Sequence, residues 1–306
     1  NGIQITGLAN LAGGTMRGVQ LAGISNISGD NTVELSAAGL VNITGDRAQG
    51  VVISGLTSIG GDNNSGLMIS GFMNVTGNMA SGLHFSGAAN ITGQSFGGLM
   101  ASGLLNVVGE HMNGLQIAGI ANITASKLNG MQIALCNYAT QARGLQIGLV
   151  NYYKEDMKGF QLGLVNANPD TRVQMMVYGG NATPANIGVR FKNQLFYTIL
   201  GVGSMYQGLN DKFSASASYR AGLSFPLYKG LSISGDLGYQ HIEAFDNKDE
   251  VIPKRLYALQ ARANLEYQFT RKFGIFATGG YGLTRFYNKS SNYDKGAIIE
   301  AGIVLF

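Results

Sequence analysis

A sixteen-residue repeat at the start of the chain limits most strongly what this protein can fold into. Written in lines of sixteen, residues 2–129 form eight copies of G-Φ-x-Φ-[SAT]-G-Φ-x-N-Φ-[ST]-G plus four variable residues, where Φ is apolar. Glu34 is the exception in the first glycine column, and Ser58 is the exception in the asparagine column. The asparagine column consists of Asn10, Asn26, Asn42, Asn74, Asn90, Asn106 and Asn122.

This repeat predicts a β-solenoid, in which each copy is one coil that stacks on the next. Sixteen residues are too few for two helices and their turns, and the apolar residues alternate as they do in β-strands. Glycine in fixed columns allows tight corners. Asparagine in one column is expected to form a ladder, because equivalent residues of stacked coils lie about 4.8 Å apart. The alternative, one membrane-spanning strand per repeat, fits less well because few aromatic residues precede position 137.

Three shorter copies follow and begin at Gly130, Gly144 and Gly159. Tyrosine first appears in these copies, so they are either solenoid coils or membrane strands. We predict a β-solenoid repeat domain over residues 1–171, with regular coils at 2–129 and shorter coils at 130–171. The chain begins inside a repeat, which predicts that a leader or a further segment precedes it.

The second part of the chain, residues 172–306, alternates apolar and polar residues in stretches of the length that spans a membrane as β-strands. All 14 tyrosines lie at or beyond Tyr138. In 213–225, Phe, Ala, Tyr and Leu occupy one face, and Ser, Arg and Gly occupy the other. Such stretches predict an antiparallel eight-stranded transmembrane β-barrel with its apolar face toward lipid. The predicted fold class is therefore all-β, a solenoid followed by a small barrel.

Charged residues on the polar faces are expected to pair inside the barrel, because an unpaired charge there is costly. The interior of an eight-stranded barrel is filled by side chains and holds no open pore. The predicted polar cluster consists of Arg220, Asp236, Arg262, Glu266 and Glu300.

Aromatic residues near the short connections are expected to form a girdle where lipid meets water. The longer connections, at 207–212, 246–255 and 288–296, alternate with the short ones, which places the short ones in the periplasm. Eight strands put both barrel ends on that side, so we predict a periplasmic repeat domain. A count wrong by one strand would place it outside the cell. The predicted girdle consists of Phe191, Phe225, Tyr228, Phe269, Phe273 and Phe306.

Two segments resemble known proteins. Residues 172–306, which end in Ile-Val-Leu-Phe, resemble bacterial outer-membrane barrels of the OmpA or OmpX kind. That resemblance implies an outer-membrane location and a role for the terminal Phe306 in recognition by the barrel-assembly machinery. The segment GLQIGLVN at 144–151 resembles a repeat of predicted surface proteins of Bacteroidota and spirochaetes, which implies a Gram-negative envelope protein. Phe306 and Glu300 are an even number of positions apart and therefore fall on the same face of the last strand, which departs from the alternation of apolar and polar faces.

No recognisable catalytic, cofactor or metal site occurs in the sequence. The three histidines, His84, His111 and His241, lie far apart in the sequence and differ in repeat phase. Cys136 has no second Cys, and no His paired with an acidic residue, in a pattern that would indicate a site, so it is predicted to be a small core residue. The net charge of +4 is not gathered in a basic run, which argues against nucleic acid. We therefore predict no enzyme, no cofactor and no metal.

The predicted repeat domain and the predicted barrel together indicate a membrane-anchored repeat protein with partners in the envelope. We predict that the barrel lies in outer-membrane lipid and anchors a rigid repeat domain. This domain would dock other outer-membrane or periplasmic proteins, as an accessory subunit of a complex for secretion, uptake or assembly. The alternative is a free-standing surface adhesin or glycan- or ligand-binding protein. Apolar residues predicted to point outward favour a protein partner, since Met suits adaptable interfaces: Met68, Met73, Met100 and Leu105.

Overall fold

The computed structural model describes residues 1–206, 209, 213–245, 255–287 and 292–306. In these residues the chain forms β-strands and no α-helix, and none of them belongs to a helix long and apolar enough to cross a membrane. The chain divides into two compact units, Asn1–Gly163 and Leu164–Phe306. The first is a parallel β-solenoid and the second contains a closed antiparallel barrel, which confirms the predicted fold class.

In the first unit, each strand pairs in parallel with the equivalent strand of the next coil. Gly2 pairs with Gly18 and Asn10 pairs with Asn26, so the register equals the sequence repeat. A long and a short strand alternate along the chain. The strands are β1 (Gly2–Thr6), β2 (Ala9–Ala12), β3 (Met16–Ala22), β4 (Ser25–Ser28), β5 (Thr32–Ala38), β6 (Val41–Thr44), β7 (Arg47–Ser54), β8 (Thr57–Gly60), β9 (Asn63–Ser70), β10 (Met73–Thr76), β11 (Met79–Ser86), β12 (Ala89–Thr92), β13 (Ser95–Ser102), β14 (Leu105–Val108), β15 (His111–Ala118), β16 (Ala121–Ile133), β17 (Cys136–Ile147) and β18 (Val150–Leu162).

The shorter copies are solenoid coils. Gly130 pairs in parallel with Gly144, and Gly144 with Gly159, which continues the first glycine column. Here a short and a long strand merge into one, because the glycine corner of earlier coils is replaced at Ala125 and the register shifts directly after Thr124.

Polar side chains line much of the solenoid interior and stack in columns. Asn26 Nδ2 donates to Asn42 Oδ1 at 3.0 Å and to the backbone carbonyl oxygen of Ala37 at 2.9 Å. Similar bonds continue past the predicted column to Asn137 and Asn151. Ser58 interrupts the ladder and instead shares hydrogen bonds with neighbouring serines. A second column, not predicted, is a ladder of Gln116, Gln132, Gln146 and Gln161.

The first glycine column has a backbone conformation that other residues rarely adopt. Its glycines from Gly18 to Gly159 have φ between 104° and 147°. Glu34, the exception in the sequence, has φ of 91° and therefore carries a side chain in a region that favours glycine.

The structure corrects two predictions about the surface. Met68 and Met100 are 2% and 0% exposed and lie inside the solenoid, because they occupy the same inward column as Gln116. Met73 and Leu105 lie on the outward side and are half-buried. Cys136, predicted to be a core residue, is exposed because it belongs to the same outward column as Leu105.

In the second unit, eight antiparallel strands form the closed barrel. The first and last strands close it, with Met175 opposite Leu305. The strands are β20 (Arg172–Gly180), β21 (Ala185–Asn193), β22 (Phe196–Ser204), β23 (Ser214–Tyr228), β24 (Leu231–Ala244), β25 (Arg255–Thr270), β26 (Phe273–Phe286) and β27 (Asn292–Leu305). A short strand, β19 (Val165–Ala167), precedes them.

The two ends of the barrel differ in their connections. Only residues 194–195, 229–230 and 271–272 separate strands at one end, which we call the short-turn end. The barrel begins at Arg172 and ends at Leu305, both at this end. The predicted long connections at 207–212 and 246–255 lie largely outside the described residues, as do residues 288–291 of the third. Residues 292–296, predicted to be part of that third connection, instead belong to β27.

The segment before the barrel packs on the outer side of β21 and β22 at the short-turn end. Thr198 Oγ1 donates to the carbonyl oxygen of Leu164 at 3.0 Å, and Asn193 Nδ2 donates to that of Asn166 at 2.9 Å. These contacts explain why two polar side chains on the outward face of the barrel are buried.

Candidate functional surfaces

The barrel interior contains a cluster of buried ion pairs. Arg220 donates to both carboxylate oxygens of Asp236, with both nitrogen–oxygen distances at 2.8 Å. Arg262 makes a similar contact with Glu300 at 3.1 and 3.2 Å, and Arg220 Nη1 lies 3.7 Å from Glu300 Oε2. The structure thus brings together four of the five residues of the predicted polar cluster.

The fifth residue, Glu266, pairs with an arginine that the sequence analysis did not identify. Arg190 donates to both oxygens of Glu266, at 2.6 and 2.9 Å, and also to Gln174. Its inward position follows from the alternation in β21, where Ile187 and Val189 point outward. The signal in the sequence is the alternation of β21, which places Arg190 on the polar face of the strand, as Arg220 lies on the polar face of 213–225.

Neutral side chains complete this layer of the barrel. The hydroxyl of Tyr197 donates to Asp236 Oδ2 at 2.7 Å, and Asn264 donates to the same oxygen at 2.8 Å. The space left beside the cluster is a cavity of about 10 Å³, which is no more than one water molecule occupies. At this level, side chains fill the cross-section of the barrel.

The outward face of the barrel is apolar between its two ends. Leu237, near the middle of β24, is 71% exposed, whereas the adjacent inward residue Asp236 is buried. This polarity is the reverse of that in a soluble barrel, whose apolar residues are inside. The other exposed apolar side chains of this face include Val173, Val177, Ile187, Val189, Val202, Leu223, Ile233, Leu259, Leu265, Ile275 and Ile299.

The predicted aromatic girdle residues all lie at the short-turn end. Phe269 stacks on Phe273 across the turn between β25 and β26, with ring centroids 5.8 Å apart. Phe306 lies beyond the end of β27 with φ of 77°, so its parity with Glu300 does not turn it into the barrel. The same short-turn end also carries Phe191, Phe225 and Tyr228.

The outside of the solenoid is divided lengthwise into apolar and polar surfaces. In nearly all copies of the repeat, an exposed apolar side chain lies at the same corner of the coil. We call this column the apolar edge. Outward residues of the strands on both sides of it, such as Ile53 and Ile59, are also apolar. The apolar edge includes Leu8, Ile24, Leu40, Leu56, Phe72, Leu104, Ile120, Leu135 and Leu149.

The rest of each coil presents mainly polar side chains, with Met79 as an exposed exception, and we call this surface the polar face. The charged residues of the first unit are confined to this segment, which runs from the third glycine or its equivalent to the next first-column glycine or its equivalent. The polar face includes Arg17, Asp30, Asp46, Arg47, Gln49, Glu110, His111, Asn113, Arg143 and Lys158.

The solenoid core contains a buried titratable side chain, His84. Burial lowers the pKa of His84 to about 4, so its imidazole is neutral at pH 7. Its ring packs edge-on against Phe96 with centroids 4.9 Å apart. Across the part of the chain that the structure describes, no group of three or more His, Cys, Asp or Glu residues is placed to hold a metal ion.

Comparison with known proteins finds a similarity to one solved β-barrel domain among others. No family model matches the chain, and no curated protein matches it. The chain is similar to the crystal structure of the N-terminal β-barrel domain of Pseudomonas aeruginosa OprF, with 16% identity and a TM-score of 0.30. The match covers 44% of this chain and 93% of that one. The class assigned here, a β-solenoid joined to an eight-stranded barrel, therefore rests on the strand pairings of this chain.

Proposed function

We propose that this chain is a non-enzymatic outer-membrane protein whose barrel anchors a rigid repeat domain. The single observation that carries the membrane assignment is the inverted polarity of the barrel. Buried ion pairs such as Arg220–Asp236 occupy its interior, and Leu237 and similar residues cover its outside. Hydrocarbon stabilises such an outer face, and a closed barrel leaves no unpaired strand edge in lipid.

The barrel acts as an anchor and not as a channel. Three arginines and three carboxylates, linked by Tyr197 and Asn264, occupy its cross-section beside a cavity of about 10 Å³. Opening a path would require breaking buried ion pairs, each costing about 3–5 kcal/mol.

The repeat domain lies on the periplasmic side of the outer membrane in this proposal. Outer-membrane barrels have short turns on the periplasmic side and longer loops outside. The chain enters the barrel at Arg172, at the short-turn end, which supports this orientation. The segment 144–151, with its resemblance to Bacteroidota surface repeats, supports an envelope role and a Bacteroidota-like origin.

The repeat domain docks another outer-membrane or periplasmic protein, as an accessory subunit of a larger complex. Stacked Asn and Gln ladders make the solenoid a rigid support, because every coil is bonded to its neighbours through side chains as well as backbone. The polar face offers charged and amide groups in regular rows, including Gln49, Asn113 and Arg143. Met68 and Met100 have no part in this surface because they are buried.

Photo-crosslinking in native membranes tests the docking role. A benzophenone amino acid would replace Gln49, Asn113 or Arg143 on the polar face, with Leu237 on the barrel wall as the control position. We expect one discrete crosslinked protein from the polar-face positions and none from the control. A monomer without crosslinks at all three positions would contradict docking and favour the free-standing adhesin or glycan-binding protein.

Membrane insertion is tested separately by extraction. We expect the chain to stay with the outer membrane in alkaline carbonate and to require detergent for release. A chain that is soluble and monomeric without detergent would contradict the membrane assignment, whatever the crosslinking shows.

A further inference from the structure

We propose that the solenoid lies along the surface of the bilayer, with its apolar edge and the flanking apolar columns immersed in the acyl chains of one leaflet. The polar face then points to water. This inference rests on the proposed membrane anchorage and assigns to the repeat domain a lipid-binding surface of its own.

The first support is the distribution of polarity across the coil. Asn106, Gln116 and Thr124 are fully buried and hydrogen-bonded within the solenoid, whereas Leu56 and Leu104 are 48% and 49% exposed. The apolar edge is therefore not part of any core of this fold. Soluble proteins rarely leave a continuous apolar surface of this extent exposed, and such a surface marks a contact with a membrane or a protein.

The second support is the distribution of charge. In every copy of the repeat, the residues that lie between the first-column position and the third-glycine position include no Asp, Glu, Lys or Arg. Asp46, Arg47 and the other charged residues of the solenoid all lie in the remaining segment. A charged side chain is costly in hydrocarbon, so a leaflet on one side of the solenoid explains why charge is confined to the other side.

The residue types of the apolar surface favour lipid over a protein partner. Protein interfaces are enriched in Tyr, Trp, Met and Arg at their centres. Here the edge consists of Leu, Ile, one Phe and one Ala, and the first eight copies contain no Tyr or Trp. A uniform aliphatic surface has little to specify a partner and suits a fluid phase.

The geometry favours a position along the surface rather than across the membrane. The apolar edge and the polar face both extend through all coils, parallel to the solenoid axis. A solenoid that crossed the bilayer would place part of the polar face, including Arg47, in hydrocarbon. The arrangement resembles that of an amphipathic helix at a membrane interface. The short covalent connection to the barrel also favours a position at the membrane surface, since only residues 164–171 separate the solenoid unit from the first barrel strand.

Spin-label accessibility in proteoliposomes tests the inference on the full chain. In a Cys136→Ser background, single cysteines would carry nitroxides at the apolar edge (Leu56→Cys, Leu104→Cys), the polar face (Gln49→Cys, Asn113→Cys) and the barrel wall (Leu237→Cys). All five positions are exposed, so the labels do not disturb packing. Collision rates with oxygen, which concentrates in lipid, and with a water-soluble nickel chelate would be measured.

We expect the ratio of oxygen to nickel accessibility at the two edge sites to match that of Leu237→Cys and to exceed that of the polar-face sites several-fold. Edge sites as accessible to nickel as the polar face, with Leu237→Cys still in lipid, would overturn the inference and leave the proposed anchor intact. Edge sites shielded from both reagents would overturn it in favour of a protein contact. A water-accessible Leu237→Cys would contradict the membrane barrel itself.

Discussion

Arg220 and Asp236 form a two-point ion pair inside the barrel, with Nε–Oδ1 and Nη2–Oδ2 distances of 2.8 Å. Arg220 is 1% exposed, and the carboxylate of Asp236 also accepts hydrogen bonds from Tyr197 and Asn264. The pair joins neighbouring strands β23 and β24, so it links the chemistry of the interior to the register of the barrel wall.

Arg220→Met is expected to destabilise the barrel by about 3–5 kcal/mol, because it leaves Asp236 buried and unpaired. The double variant Arg220→Met/Asp236→Asn should lose less, since the unpaired charge is removed as well. Urea unfolding in detergent micelles, followed by tyrosine fluorescence, measures both. Equal losses in the single and double variants would show that the unpaired charge of Asp236 is not the source of the loss.

Leu237→Arg is expected to cost about 2–4 kcal/mol in a bilayer, because it places a charge at mid-height on the outward face. Leu237→Ala is the control for lost side-chain volume alone. The free energy of unfolding from lipid vesicles would be compared for the two. If arginine and alanine proved equally tolerated, hydrocarbon would not cover this position.

Glu34→Gly is expected to stabilise the solenoid by about 1 kcal/mol. The present φ of 91° carries strain of about 1–3 kcal/mol, against an entropic cost of about 1 kcal/mol for glycine. Glu34→Ala retains the Cβ atom and should give no gain. Hydrogen exchange of amides in the neighbouring coils reports the change, and equal protection in both variants would refute the strain.

Asn106→Ala is expected to destabilise the solenoid by about 2–4 kcal/mol, because it leaves buried groups without partners. Asn106 donates to Asn122 and to the carbonyl oxygen of Ile117, and accepts from Asn90. The control is Asn113→Ala, which breaks an exposed pair and should change stability by less than about 0.5 kcal/mol. Hydrogen exchange across β12 to β16 distinguishes the ladder from the surface pair.

The solenoid is expected to lose stability as pH falls from about 6.5 to about 4 through His84. Burial lowers the pKa of this residue from 6.5 to about 4. Between these values the unfolded chain binds a proton that the folded chain does not, so stability rises with pH and is complete above about pH 6.5. The loss over the window is about 3 kcal/mol.

His84→Met tests this, because Met68 and Met100 occupy the neighbouring positions of the same inward column. Amide exchange in coils around residue 84, corrected for the intrinsic pH dependence of exchange, should become less sensitive to pH in the variant. An unchanged pH dependence would assign the effect to other groups.

The Asn ladder was predictable because seven of its positions carry the same residue in the sequence. The Gln ladder was not, because Val52, Met68, His84 and Met100 interrupt that column and hide its inward direction. The same mixture led to the wrong outward placement of Met68 and Met100. An apolar residue does not by itself indicate which side of a strand faces the interior.

In the barrel, alternation was sufficient to place Arg220 and Asp236 inside, since both faces of each strand are uniform in polarity. The pairing of Arg190 with Glu266 was not predictable in the same way. These residues are 76 positions apart and lie on strands that are not neighbours in the barrel, so only closure of the sheet brings them together.

The amino-acid sequence alone determined the period of the coils, the number of barrel strands and the two faces of each strand, because repeats of sixteen and of two correspond directly to stacking and to side-chain alternation. Only the tertiary structure decided which face of the solenoid is inside and which charged groups meet. Both depend on contacts between coils and across the barrel that exist only after the chain has closed on itself. The inward position of the Asn and Gln ladders and the outward position of the apolar edge follow from that closure.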